Sequence, residues 1–385
     1  MIYWDHAAST PPYDDVIRTV TEIMNKHYGN PSSIHQMGED AVKLMNRTRK
    51  VCADALHVNP SEIVFTSGAT EGNNLGIKGA AMQYMSRGKH VITTQIEHAS
   101  VYESFLQLQK WGFEVTFLPV DSHGRVDVKS LTSAIRKDTI LVSIMHVNNE
   151  IGVVQPIEEI GNVIKRCNPR TLFHVDGVQG FGKLPVELKK WCIDLYTLSA
   201  HKFRGPKGAG LLYVRDGLQL TPLLSGGSQE FGWRAGTENM PLLVAMAKAI
   251  RMAVERQPSF TRDVSILRNQ IFEIIRSIQG LHLHSDEDGA PHIIQFSYPG
   301  MKSEVLLHTL ESEGMLVSTR SACSSKKAEP SRVLLSMGLS MEEAVSGIRI
   351  SLGDSHTEEE VNQLEHALRT AIKQLRPMEK GRNDK

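Results

Sequence analysis

Lys202 stands in Ser199-Ala200-His201-Lys202-Phe203-Arg204-Gly205-Pro206-Lys207-Gly208-Ala209-Gly210, just past a predicted strand and ahead of a glycine-rich turn. An amine held there, beside a hydroxyl and an imidazole, can form a Schiff base with an aldehyde cofactor. Taken alone, the same lysine reads equally as a solvated loop cation. Ser67-Gly68-Ala69-Thr70-Glu71-Gly72-Asn73-Asn74 reads as a strand-to-helix turn whose N–H groups and Thr70 hydroxyl suit a phosphate, or as a plain glycine-containing helix cap. It is not a nucleotide P-loop, because the lysine of G-x-x-x-x-G-K-[ST] is absent. Asp176 follows Thr171-Leu172-Phe173-His174-Val175 and places a carboxylate where a pyridinium nitrogen would need a counter-charge. A helix N-cap is its structural alternative.

The cysteines divide in two. Cys52, Cys167 and Cys192 have apolar or helical neighbours and read as inert packing residues. Cys323 lies in Ser318-Thr319-Arg320-Ser321-Ala322-Cys323-Ser324-Ser325-Lys326-Lys327, which has no apolar periodicity and reads as an exposed loop. No C-x-x-C spacing occurs, so neither a disulfide framework nor a thiolate zinc site is indicated. His282, His284 and His292 read as solvent-facing imidazoles on alternating strand positions, and no metal is expected.

Positioning these groups falls to the elements around them. The 385 residues suffice for two domains folded together, and 43 basic residues balance 43 acidic ones for a net charge of +0. Nothing global draws the chain toward nucleic acid or a membrane. The N-terminus has a charge at Asp5 and no apolar h-region, and no stretch approaches the ~20 apolar residues of a span, so the protein reads as cytoplasmic.

Candidate strands at Glu62–Thr66, His90–Thr94, Glu114–Leu118, Thr139–Met145, Thr171–Val175, Leu195–Leu198 and Gly210–Val214 alternate with helical stretches. That is the pattern of an α/β domain with a mostly parallel sheet. Several of these runs end in polar residues or glycine turns, and in open α/β sheets ligands bind beyond the carboxyl ends of the strands, so the separated residues can converge on one crevice. After about residue 255 the pattern shifts to helices around a second small sheet with a strand at His292–Ser297. The domains are expected at 12–256, and at 1–11 with 257–376, leaving 377–385 as a disordered tail. Thr357 and Glu360 form a capping box for a last helix buried through Val361, Leu364, Leu368, Ala371 and Leu375 and stopped by Pro377.

Together these residues resemble the fold-type-I pyridoxal-phosphate enzymes, and more narrowly the class-V aminotransferase-type cysteine desulfurases with Ser-Ala-Cys in the active loop. The resemblance runs almost end to end: YWDHAAST at 3–10, YGNPSSIH at 28–35, FTSGATEGNN at 65–74, IEHASV at 96–101, MHVNNEIGVVQPI at 145–157, HVDGVQ at 174–179, GGSQEFGWRAGTEN at 226–239, SACSS at 321–325, EPSRVL at 329–334 and GIRISLG at 347–353. Single motifs are weak; this order is highly specific.

The resemblance implies a large domain with a mostly parallel seven-stranded sheet and a smaller α+β domain. It implies pyridoxal 5′-phosphate bound as a Schiff base to Lys202, which would also move protons at the substrate Cα. Asp176 would pair with the pyridine nitrogen, and His98 would stack on the ring and assist acid–base steps. Gln179 and Asn149 would bond the ring oxygen. Ala69, Thr70, Ser199 and His201 would hold the phosphate, with Thr237 reaching over from a second subunit of a homodimer. Arg349 would clamp the substrate carboxylate, with Asn149 beside the substrate. The Cys323 thiolate would take sulfur from L-cysteine as a persulfide, release alanine, and travel on its loop to an acceptor protein. The family's acceptors include iron–sulfur scaffolds and tRNA-thiolation enzymes. Arg320, where many relatives carry a small residue, would with Lys326 and Lys327 lower the Cys323 pKa or dock a partner, or be a solvated loop charge. A selenocysteine lyase or another pyridoxal-phosphate transaminase is the alternative activity.

Overall fold

Where the strand ends meet depends on the order in which the strands pair. The computed structural model describes residues 1–319 and 330–378. Its strands are β1 Ile2–Tyr3, β2 Ile63–Thr66, β3 His90–Thr94, β4 Glu114–Leu118, β5 Thr139–Ser143, β6 Leu172–Asp176, β7 Leu195–Ser199, β8 Gly210–Val214, β9 His282–Leu283, β10 Ile293–Ser297, β11 Met315–Leu316 and β12 Gly347–Ser351. A seven-stranded sheet forms in the order β2-β8-β7-β6-β5-β3-β4, parallel except for β8, which runs antiparallel to both neighbours. Helices cover both faces, so every residue of β2, β3, β5, β6, β7 and β8 is buried. That burial explains why these segments read as apolar runs without alternation. Only β4, at the edge, is half-exposed along most of its length.

Two strands run one residue further than expected, and the difference matters. Asp176 closes β6 and Ser199 closes β7. Both therefore stand at carboxyl ends of the sheet and not in the loops beyond.

The second body is built on the antiparallel sheet β12-β10-β9 and the parallel pair β1-β11. Its apolar cluster includes Trp4, Phe296, Ile350 and Leu368, each fully buried. The helix Met240–Ser277 contributes Met240 to Ala253 to the large core and Phe260 to Ile275 to the small one, with Pro258 inside it. The last helix is Glu358–Leu375, and Thr357 and Glu360 cap it reciprocally at 3.0 and 3.3 Å. All five expected apolar positions on it are buried. Of the segment 377–385 expected as a tail, Pro377 and Met378 belong to the 3₁₀ turn Arg376–Met378, and residues 379–385 lie outside those described. No helix among the described residues is long and apolar enough to cross a membrane.

Two expectations about side chains need correction. Cys52 is buried, but Cys167 is exposed and Cys192 half-exposed. Cys167 ends its helix beyond Lys165 and Arg166, and Cys192 sits in a turn at φ 56°. Of these three, only Cys52 is a packing residue. Of the three histidines, His282 is exposed and meets Glu343 at 3.1 Å, while His284 is half-buried against Ser297 at 2.7 Å. His292 is 1% exposed, because it precedes β10 and turns inward beneath Gln179. No group of potential metal ligands occurs among the described residues.

Candidate active site

The carboxyl ends of β2, β5, β6 and β7 open into a cavity of about 890 Å³. Apart from Thr237 and Cys323, every residue expected at the site lines it. Thr237 is exposed and does not line the cavity. Cys323, with Arg320, Lys326 and Lys327, lies outside the described residues. The chain leaves them at Thr319 and re-enters at Pro330, and Thr319 and Ser331 both line the cavity wall.

Lys202 closes the short turn Ala200–Lys202 after β7. Its Nζ donates to the Ala7 and Ala8 carbonyls at 2.6 and 2.7 Å, so the N-terminal segment holds the amine over the sheet. Burial pushes its pKa down to about 8; Arg349 pushes the same way, and Asp5 and Asp176 oppose. The Lys202 carbonyl accepts from Lys183 Nζ at 2.9 Å, and burial holds that second amine at about 8 too.

Asp176 is almost fully buried and has one partner for each oxygen. Asn73 Nδ2 donates to Oδ2 at 2.8 Å, and the Val178 N–H donates to Oδ1 at 3.1 Å. The capping-type contact thus coexists with a carboxylate presented to the cavity. Asn73 also donates to Ser100 Oγ at 2.9 Å, and Ser100 Oγ lies 2.8 Å from His98 Nδ1. His98 caps the helix Ala99–Lys110, its Nδ1 accepting the Ser100 N–H at 3.1 Å. An acceptor Nδ1 leaves the hydrogen of the neutral ring on Nε2. Desolvation within the cavity lowers the His98 pKa, against the pull of Asp176, and so favours the neutral ring.

Around the turn after β2, the helix Ala69–Asn74 begins at Ala69 with Gly68 as its cap. A side chain at Gly210 would meet the Gly68 backbone at 2.5 Å, so glycine there lets β8 approach the turn. Ser199 and His201 face the same corner. Burial, then Lys202 and Lys207, hold the His201 imidazole down at about 4. Gln179 donates through Nε2 to the Ala7 carbonyl at 2.9 Å, and its Oε1 faces His292 Nε2 at 3.2 Å. Arg349, on β12, donates from Nη1 to the Asn149 carbonyl and from Nη2 to Asp5 Oδ1, both at 2.8 Å.

Asn73, Ser100 and Asp5 lie inside motifs recognised in the sequence yet had no role assigned. Their partners are 103, 27 and 344 residues away, and no local pattern marks them. Glu97 also lines the cavity and is 1% exposed. Burial pushes its carboxyl up to about 8, although Met145 N–H and the Thr94 hydroxyl donate to Oε1 at 3.1 and 2.8 Å.

The arrangement fits pyridoxal phosphate. A buried amine of lowered pKa, a buried carboxylate, helix N–H groups with hydroxyls, and a guanidinium share one cavity of suitable size.

Comparison with known proteins agrees. Residues 2–364 match the family model Aminotransferase class-V. A NifS/IcsS protein homolog of Lactobacillus delbrueckii subsp. bulgaricus is 43% identical, over 94% of this chain and 95% of its own. The cysteine desulfurase IscS of Dictyoglomus turgidum is 42% identical, over 97% of this chain and 95% of its own. A solved NifS-like protein superposes with a TM-score of 0.91 at 38% identity, covering 97% of this chain and 99% of that one. A polar cluster gathered at the ends of a mostly parallel sheet, and an end-to-end match to these relatives, identify the chain as a member of the class-V aminotransferase family, among its cysteine desulfurases.

Proposed function

We propose that the protein converts L-cysteine to L-alanine with pyridoxal 5′-phosphate on Lys202, and holds the sulfur as a persulfide on Cys323 for an acceptor protein. The observation that carries the reading is the Lys202 amine, buried in a cavity that also presents Asp176 and Arg349. When bound, the cofactor supplies an aldehyde for amines and a protonated ring that accepts the electron pair left at the substrate Cα.

The chain's own residues supply the rest. A pKa near 8 raises the neutral fraction of Lys202 at pH 7 to about one in ten, against less than about one in a thousand for a solvated lysine. Neutral Nζ is the form that condenses with an aldehyde and that lifts a proton from Cα. Asp176, oriented by Asn73, would keep the ring nitrogen protonated. His98 would stack on the ring and offer Nε2–H as a donor. Ala69, Thr70 and Ser199 would hold the phosphate by hydrogen bonds, as would His201, whose pKa of about 4 leaves the imidazole neutral at pH 7. Gln179 and Asn149 would serve the ring oxygen, and Arg349 would clamp the substrate carboxylate.

The Cys323 thiolate attacks the substrate sulfur. The new S–S bond forms as the C–S bond breaks, its electron pair passes to Cβ, and protonation there completes alanine. One cysteine and one enzyme thiol thus give one alanine and one enzyme persulfide. Thr237 and Phe231 are both exposed, which suits a homodimer in which Thr237 reaches the phosphate of the other subunit. An iron–sulfur scaffold or a tRNA-thiolation enzyme would then receive the sulfur.

A single turnover with L-cysteine tests this. Alanine should appear in equal amount to persulfide on Cys323, located by mass spectrometry. Cys323→Ala should still bind cysteine and form no alanine; undiminished alanine from that variant would refute the mechanism.

A further inference from the structure

Arg349 already has an anionic partner. Asp5 follows β1 and bridges to Ser351 on β12, where the His6 N–H and Ala7 N–H bond the Ser351 carbonyl and hydroxyl at 3.3 and 2.8 Å. The backbone therefore fixes Asp5 two residues along the strand from Arg349. Both side chains are largely buried, at 20% and 13% exposure, so solvent screens the pair poorly. Nη2 gives one of its two hydrogens to Asp5 and Nη1 one of its two to the Asn149 carbonyl, while Nε has no hydrogen-bond partner among the described residues, so what Asp5 takes from an arriving carboxylate is mainly charge. An amino-acid carboxylate arriving at this guanidinium meets a charge that is already compensated.

We propose that Asp5 determines amino-acid affinity by competing with the substrate carboxylate for Arg349. The claim rests on the reading of Arg349 as the carboxylate clamp and goes beyond it. Substrate cysteine and product alanine carry the same carboxylate, so a clamp at full strength would hold both. Uniform binding of that kind adds nothing to turnover and retards release of alanine. A resident carboxylate weakens it. Asp5 does not touch the reacting atoms; it is a positioning residue acting through Arg349.

Asp5→Asn keeps the size and the acceptor for Nη2 while removing the charge. With the holoenzyme, binding of L-alanine is read from the absorbance of the bound chromophore, and ethylamine, which lacks the carboxylate, serves as control. Asp5→Asn should bind L-alanine on the order of tenfold more tightly, the effect of removing one like charge from a poorly screened site. Ethylamine binding should shift less than L-alanine binding, because ethylamine shares any effect of Asp5 on Lys202 but has no carboxylate for Arg349. KM for cysteine should fall while kcat does not rise. Asp5→Ser neutralises the same position with a smaller side chain and should shift L-alanine in the same direction. Unchanged or weaker L-alanine binding in both variants overturns the competition. Arg349→Gln separates the two claims: if it binds L-alanine as the unaltered protein does, Arg349 is not the clamp and both claims fail.

Discussion

At the scale of single residues, the site depends on how the cavity holds its polar groups. Desolvation lowers the pKa of both Lys202 and His98, and each oxygen of Asp176 accepts one hydrogen bond. Asn73 donates to Asp176 and also to Ser100, which in turn contacts His98. Asn73→Ala should therefore weaken pyridoxal phosphate binding by roughly 10- to 150-fold, since losing a hydrogen bond to a charged group costs about 1.5–3 kcal/mol. Equilibrium titration of the apoprotein with the cofactor measures it, and an unaltered affinity would remove Asn73 from the site. Lys202, Asp176 and Arg349 were legible in the sequence because each sits in a segment whose residue order is distinctive. Asn73 and Asp5 were not, because their partners are brought near only by folding. The inward turn of His292 was missed for the same reason, since Gln179 lies 113 residues away.

Among the elements, the N-terminal segment does more than its length suggests. β1 adds only two residues to the β1-β11 pair, yet Trp4 after it is fully buried and stacks on His356 with ring centroids 4.1 Å apart. The Ala7 and Ala8 carbonyls beyond it receive Lys202. Trp4→Ala should lower unfolding free energy by about 3–5 kcal/mol, the range for emptying a buried aromatic site. Urea denaturation checks it, and a loss below about 1 kcal/mol would show that the segment is not anchored there. The strands of the large sheet were legible as apolar runs. The 3₁₀ turn at Arg376–Met378 was not, because Pro377 ends an α-helix without excluding a tighter turn.

For the whole molecule, buried neutral histidines set a lower limit of pH for stability. His146 and His174 are held down at about 4 and about 3 by burial, from an ordinary value of 6.5. Above 6.5 both are neutral in folded and unfolded chains, so they add no pH dependence. As pH falls below 6.5 the unfolded chain takes up protons that the folded chain refuses, and stability is lost down to the folded values. Each contributes up to about 1.4 kcal/mol per pH unit. The melting temperature should fall as pH drops from 6.5 to 4, less steeply in His174→Gln, and equal slopes would contradict this assignment. We propose a division of the chain near residues 256 and 257, which lies beside Pro258, where the buried face of the long helix passes from one core to the other. The change of pattern near residue 255 falls where the Met240–Ser277 helix passes from one apolar cluster to the other, and a helix that continues through that point leaves no linker to read.

If a vitamin-B6 aldehyde is joined to Lys202 in this cavity, borohydride will fix it there. Reduction of the holoprotein followed by peptide mapping should find one phosphopyridoxyl group per chain, on Lys202, and Lys202→Ala should lack the yellow colour of the bound cofactor. A label on Lys183, on Lys207 or on no lysine would contradict that attachment.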